Sequence, residues 1–301
     1  MKPPPFAYHA PTELDEAVTL LAEAGEEGKV LAGGQSLIPL LNMRLAAPGV
    51  LVDINRVAGL GGIEVDGAGV RVGALVRHSA LEAHTAAAEA VPLLRQGLRL
   101  VAHPVIRNRG TSVGSIAHAD PSGEMPAVLA LLEGEVEVRG PAGGRTVPAA
   151  EFVTGPMDNA LAGGEIAVAA RFPRPGPGTG TAFVETARRH GDYALCGVAA
   201  AVALDAAGRI TTARCCLISV APVPLVVDLT AHLAGRPAEA VDLAAAAAEA
   251  ADTTEPEDDI HAGADYRRHL ARVLTERALA QAAARAAAAT APTPADTGAS
   301  R

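Results

Sequence analysis

The stretch VLAGGQSLIPLLN, Val30–Asn42, constrains this chain more than any other. An apolar run is interrupted for four residues, Gly33-Gly34-Gln35-Ser36, and resumes at Leu37. Val30-Leu31-Ala32 reads as a short strand. Ser36 is placed to cap a helix through Leu41, where Pro39 is tolerated because it falls in the first turn. A chain that passes from strand to helix through two glycines turns sharply and presents backbone that no Cβ shields. Upstream, Thr12–Ala24 reads as a helix with Thr12 as cap, Asp15 at the capping-box position, and Leu14, Ala17, Val18 and Leu21 on one face. Downstream, Leu51–Ile54 reads as another strand. Strand and helix alternate, which favours an α/β unit.

The pattern then changes. Ile63–Val65 and Val70–Val72 flank Asp66-Gly67-Ala68-Gly69 as a β-hairpin. Ser79 and Glu82 suggest a capping box for a helix over Leu81–Ala90, and a second helix covers Val91–Val101. His103–Glu124 shows neither period and reads as a long loop, the kind that carries function. A helix over Pro126–Leu132, a hairpin of Glu135–Arg139 with Arg145–Val147, and a strand over Glu165–Phe172 follow. Pro173-Arg174-Pro175-Gly176-Pro177-Gly178 is the best linker candidate. Beyond it come strands near Ala182–Thr186, Val198–Leu204 and Cys215–Val220, then helices near Ala238–Ala250 and Tyr266–Ala288. The expected organisation is a domain over 1–175, in lobes of about 1–57 and 58–175, and a smaller α+β domain over 179–287. A disordered Thr/Pro/Ala/Ser-rich tail over 288–301 completes it.

At 301 residues, two domains are the natural prior. Aromatic residues make up only 2% of the chain, so its core must be built from Leu, Val and Ala. A net charge of −9 with no basic block excludes nucleic acid as an expected partner. Cys196, Cys215 and Cys216 form neither CxxC nor a zinc spacing and read as buried thiols in a reducing cytosol. No leader-type apolar segment and no transmembrane segment is visible, so a soluble, cytoplasmic chain is expected.

Two glycine-bearing loops carry the chemistry. At Gly33-Gly34 the backbone can approach a ligand, and a helix starting at Ser36 would aim free N–H groups at an anion. The other reading is an ordinary strand–turn–helix corner. The second loop, RNRGTSVGSIAHADPSGEMP, offers Gly110, Gly114 and Gly123, the hydroxyls of Thr111, Ser112 and Ser115, and the acids Asp120 and Glu124. Glycine N–H groups and hydroxyls suit phosphate, and a carboxylate can accept from ribose hydroxyls. Together the loops can grip a pyrophosphate, although neither matches GxGxxG. Gly110–Gly114 also fits the GxSxG nucleophile elbow, but Arg107-Asn108-Arg109 stands where that motif needs an apolar strand. His118 and Asp120 without a third ligand make a weak metal site.

LAGGQSLIPLLNMRLAAPGVLVDINRV (Leu31–Val57) and IRNRGTSVGSIAHADPSGEMPAV (Ile106–Val128) closely resemble the FAD-binding medium subunit of the molybdenum hydroxylases. That is the family of xanthine dehydrogenase and aerobic carbon monoxide dehydrogenase. ARRHGDYALCGVAAAV (Ala187–Val202) and APVPLV (Ala221–Val226) resemble its C-terminal domain, so the likeness spans about residues 1–285. The resemblance implies an α+β fold. A two-lobed FAD-binding domain of the vanillyl-alcohol-oxidase (PCMH) type would be followed by a small α+β domain of the CO dehydrogenase flavoprotein C-terminal type. It implies a first pyrophosphate loop at Ala32, Gly33, Gly34, Gln35, Ser36 and Leu37, and a second at Thr111, Gly114 and Ser115. Asp120 would lie in that loop and Glu124 would bind the adenosine ribose. Backbone at Ile166 and Ala167 would pass the flavin, and Tyr193 would sit near its ring system, the alternative being a core tyrosine. Val113 stands where many relatives carry glycine. Glu185 lies in a strand where some carry a lysine near the flavin, so that contact does not transfer.

By the same resemblance this is an electron-transfer subunit carrying FAD, with no catalytic side chain and no metal of its own. A small partner would hold [2Fe-2S] clusters and a large partner the molybdenum cofactor, in a dimer of heterotrimers. Electrons would leave to a quinone, NAD or another acceptor. A stand-alone flavin oxidase of the same fold and a non-catalytic scaffold subunit are the other readings.

Overall fold

The computed structural model describes residues 2–290. The chain opens with β1 (Ala7–His9), α1 (Leu14–Ala24), β2 (Gly28–Leu31), α2 (Leu37–Met43) and β3 (Val50–Asp53). Both β1 and β2 pair with β3 in parallel, giving the sheet order β1-β3-β2. Parallel pairing needs crossover connections, which α1 and α2 supply. Helix α1 buries Ala17, Val18 and Leu21. Its cap lies one residue later than the sequence suggests: Glu13 is the cap residue, and no side chain caps the helix. The expected box from Thr12 to Asp15 does not form, because Asp15 turns outward to pair with Arg139 at 3.1 Å.

The second lobe contains β4 (Ile63–Val65), β5 (Gly69–Gly73), α3 (His78–Ala83), α4 (Thr85–Ala90), α5 (Pro92–Leu98), α6 (Pro104–Arg107), α7 (Ser112–His118) and α8 (Glu124–Leu131). It continues through β6 (Glu135–Gly140), β7 (Gly143–Pro148), α9 (Ala149–Phe152), β8 (Val153–Gly155), β9 (Asp158–Asn159) and β10 (Ile166–Pro173). Its sheet runs β4-β5-β10-β6-β7, antiparallel throughout, while β8 and β9 pair by themselves. Both expected hairpins are present. The single helix expected over Leu81–Ala90 is two, because the His84 ring accepts from the Ala87 N–H at 3.1 Å and restarts the chain as α4. Arg77, not Ser79, occupies the cap position of α3, and Glu82 pairs with the buried Arg107 at 2.9 Å. The supposed loop 103–124 holds two helices, α6 and α7.

A four-stranded antiparallel sheet follows: β11 (Thr179–Ala187), β12 (Ala194–Leu204), β13 (Ile210–Ile218) and β14 (Leu225–Asp228). After it come α10 (Thr230–Leu233), α11 (Ala244–Asp252) and α12 (Ala264–Thr290). Helix α11 begins later than expected, behind a short 3-10 turn at Ala238–Ala240. Helix α12 runs on to Thr290, so 288–290 are helical rather than tail. The remainder of the expected tail, 291–301, lies outside the described residues.

Alternation along β11–β13 explains the core. Phe183, Ala199, Cys216 and Ile218 belong to the cluster shared with the first lobes. Their neighbours Ala182, Val198, Ala200, Cys215 and Leu217 belong to the cluster beneath α11 and α12. The sheet is therefore covered on both faces, and adjacent Cys215 and Cys216 are both fully buried. Small residues let α12 lie close: a Cβ on Gly180 would collide with the backbone of Ala282 and Ala286. Burial pushes the Cys196 and Cys215 thiols up to about 12 and that of Cys216 higher still. All three are free, as expected.

Candidate cofactor-binding cleft

The first loop leaves β2 at Ala32 and enters α2. Gly34 sits at φ +73°, a conformation glycine adopts without strain. Ser36 takes the cap position of α2, but its side chain makes no capping bond, contrary to the sequence reading. Its hydroxyl is thereby left for a ligand. Among the described residues, the N–H groups of Gly34, Gln35 and Ser36 donate to no backbone acceptor.

The second loop arrives at the same place. Thr111 caps α7, its Oγ1 accepting from the Gly114 N–H at 3.1 Å. A Cβ built on Gly33 would lie 2.6 Å from the Arg109 carbonyl oxygen, 2.7 Å from the Gly110 Cα and 3.0 Å from the Thr111 nitrogen. The two loops are thus in direct backbone contact, and only glycine permits it. Glycine at 114 leaves room for this cap, because a Cβ there would lie 2.5 Å from the Thr111 hydroxyl and displace it. Val113 is buried. Bare N–H groups and hydroxyls, converging from two segments far apart in the chain, fit a pyrophosphate.

One cleft of about 1600 Å³ runs from these loops to the surface. Ala32, Gly33, Gly34, Gln35, Ser36, Leu37, Thr111, Gly114, Ser115, Asp120, Glu124, Ile166, Ala167 and Tyr193 all line it. Asp120 folds into a turn, its Oδ1 accepting from the Ser122 N–H at 2.8 Å. Glu124 opens α8, where burial raises its carboxyl to about 7 and the Asp120 charge adds to the effect. Ile166 and Ala167, both buried, begin β10 along the cleft wall, just before a register shift against β6. Tyr193 is 70% exposed, which excludes the core-tyrosine reading.

Some residues of the cleft are not among those singled out as cofactor-binding from the sequence. Met157, at φ +57° in the turn between β8 and β9, lines the cleft and donates its N–H to the Ala119 carbonyl at 2.9 Å. Arg188 and Arg189 just past β11, Ser219 just past β13 and Arg267 of α12 line the cleft too. Glu185, near the end of β11, is close enough to Glu124 to feel its charge. Burial first, and the Glu124 charge second, raise its carboxyl to about 8, and its Oε2 has no hydrogen-bond partner among the described residues. Only the folded arrangement brings these together.

The competing readings of the second loop find no support. Ser112 does touch His78, Oγ to Nδ1 at 3.2 Å, but Ser112 is fully buried and burial lowers the His78 ring to about 4. That pair braces the loop from behind and is inaccessible as a nucleophile. No group of three metal-ligating side chains occurs among the described residues.

Two lobes that join glycine loops over one cleft, with a third α+β unit closing its side, define a flavoprotein of the two-lobed FAD-binding class. Comparison with known sequences places it more closely. Residues 4–175 match the family described as the FAD binding domain in molybdopterin dehydrogenase, and 181–299 match the CO dehydrogenase flavoprotein C-terminal domain. The chain is 39% identical to the 6-hydroxypseudooxynicotine dehydrogenase complex subunit alpha of Paenarthrobacter nicotinovorans, covering 94% of this chain and 96% of that one. It is 38% identical to the carbon monoxide dehydrogenase medium chain of Hydrogenophaga pseudoflava, over 95% and 99% of the two. The solved structure of quinoline 2-oxidoreductase from Pseudomonas putida 86 superposes with a TM-score of 0.89 at 38% identity, covering 95% of this chain and 99% of that one. The chain belongs to the FAD-binding medium subunits of the molybdenum hydroxylases, and is an oxidoreductase subunit. Among the described residues no helix is long and apolar enough to cross a membrane.

Proposed function

We propose that this chain passes electrons, through FAD, from the iron–sulfur clusters of a small partner subunit to an external acceptor. A large partner would carry the molybdenum cofactor and hydroxylate the substrate. The observation that carries this reading is the direct contact of the two glycine loops at Gly33, at one end of a cleft that opens beside exposed Tyr193. The loops would hold the pyrophosphate and Glu124 the ribose. Ile166 and Ala167 would guide the flavin with their backbone, and Tyr193 would stand at its ring system. Bound FAD supplies the chemistry, exchanging electrons singly or in pairs, while the protein binds, orients and shields it.

The same proposal takes 1–175 as the FAD domain and 179–287 as the C-terminal domain, in a cytoplasmic dimer of heterotrimers. The acceptor is a quinone, NAD or a related carrier. The test is reoxidation of the co-expressed, dithionite-reduced complex by a soluble quinone or NAD. With FAD in place the iron–sulfur absorbance should recover quickly. A Gly33→Val complex, lacking flavin, should keep its clusters and reoxidise slowly. Equal rates with and without flavin would overturn the electron-transfer role. A chain that purifies with flavin but without any iron–sulfur partner would favour the stand-alone oxidase.

A further inference from the structure

Two side chains outside both glycine loops connect them. The amide of Asn55, just past β3, donates from Nδ2 to the Ala32 carbonyl at 2.8 Å and to Asp53 Oδ1 at 2.6 Å. Its Oδ1 accepts from Arg77 Nη2 at 2.6 Å. Arg77 then donates from Nη1 to the Arg109 carbonyl at 2.7 Å. Guanidinium groups only donate and carbonyls only accept, so the orientation of the Asn55 amide is forced. Asp53 is itself held, accepting from the Tyr8 hydroxyl at 2.6 Å and from the Asn55 backbone N–H at 2.9 Å. The backbone around Arg77 completes the clamp, with the His78 N–H donating to Gly110 and the Ser112 N–H to Val76.

The carbonyl that Arg77 holds is the one Gly33 would strike if it carried a Cβ. Asn55 holds the first loop at Ala32, Arg77 holds the second at Arg109, and the two hold each other. Among the described residues Arg77 makes no ion pair; both its terminal nitrogens are spent on neutral acceptors. A charge placed merely to attract an anion would not need that geometry, whereas a spacer does.

We infer that Asn55 and Arg77 are positioning residues that set the gap between the two pyrophosphate loops, and so the affinity for FAD. This rests on the reading of the loops as the FAD site. The test uses the full chain co-expressed with its partners, stripped of flavin and titrated with FAD. Asn55→Ala and Arg77→Gln should each weaken binding about 10-fold to 100-fold, the loss expected for a hydrogen bond to a charged group. The double variant should lose no more than the worse single one, because the two act as one bridge. Arg77→Lys should behave like Arg77→Gln, since an ammonium cannot span both acceptors. The flavin-free proteins should melt close together, separating loop spacing from general stability. Affinities within twofold of the parent, or full rescue by Arg77→Lys, would overturn the bridge. Additive losses in the double variant would overturn it as well. A parent complex that takes up no FAD would instead remove the loop assignment itself, and the bridge with it. Should Arg77→Gln fail to fold, Asn55→Ala and Arg77→Lys decide between the same outcomes.

Discussion

Gly33→Ala is the sharpest perturbation available at the cleft. The new Cβ would stand 2.6 Å from the Arg109 oxygen and 2.7 Å from the Gly110 Cα. A comfortable carbon contact lies near 3.5 Å, so the loops must part by roughly 1 Å. Neither neighbour yields easily: both are backbone, and Arg77 grips the Arg109 carbonyl at 2.7 Å. Forcing an extra carbon into such a contact costs about 1–3 kcal/mol. Charged to the FAD-bound arrangement, that is a loss of about 5-fold to 150-fold in affinity. Titrating flavin-stripped protein with FAD, followed by flavin fluorescence, reads the change directly. Gly67→Ala is the matched control, because nothing lies within 4 Å of its Cβ. Parent-like affinity for Gly33→Ala, or an equal loss for Gly67→Ala, would refute the argument that loop contact governs binding.

Three further expectations test the rest of the structure. Glu185 titrates near 4.5 when unfolded and near 8 when folded, so the folded state holds its proton more tightly. The stability tied to that proton is complete below pH 4.5 and is lost as the pH rises toward about 8. Glu185→Gln should therefore flatten the fall in melting temperature of flavin-free protein over that range, and an unchanged slope would contradict the assignment. The three thiols, buried and raised to about 12 or beyond, should resist alkylation in native protein and react once it is denatured; labelling without denaturant, counted by mass, would contradict the two-faced sheet. Gly180→Ala should push α12 off β11 and destabilise the chain by about 1–3 kcal/mol in denaturant titration, while an unchanged midpoint would show that the helix has room to spare.

Sequence made the glycine loops visible because Gly33 and Gly34 break an apolar run at a strand–helix junction. The hairpins showed for a similar reason, through turn residues between alternating strands. Helix α7 stayed hidden because SVGSIAH has poor intrinsic helix preference. Its helicity comes from the Thr111 cap and from burial of Ser112, Val113 and Ile116. Strand β1 was invisible because AYH is exposed along its whole length and is recruited only by pairing with β3. The site divides the same way. Residues that line the cleft through local backbone geometry could be read from the chain. Asn55, Arg77 and Glu185 act through tertiary contacts with no local spacing to betray them.

The cleft draws its walls from both lobes and from the C-terminal sheet, while Gly33 and Thr111 meet only when distant segments have docked. A cofactor gripped across such a seam behaves as a rivet. A yellow preparation would then certify more than loading: it would report that both lobes and the C-terminal sheet have closed on one another. Loss of colour on heating, dilution or mutation would give a one-wavelength record of when that closure fails.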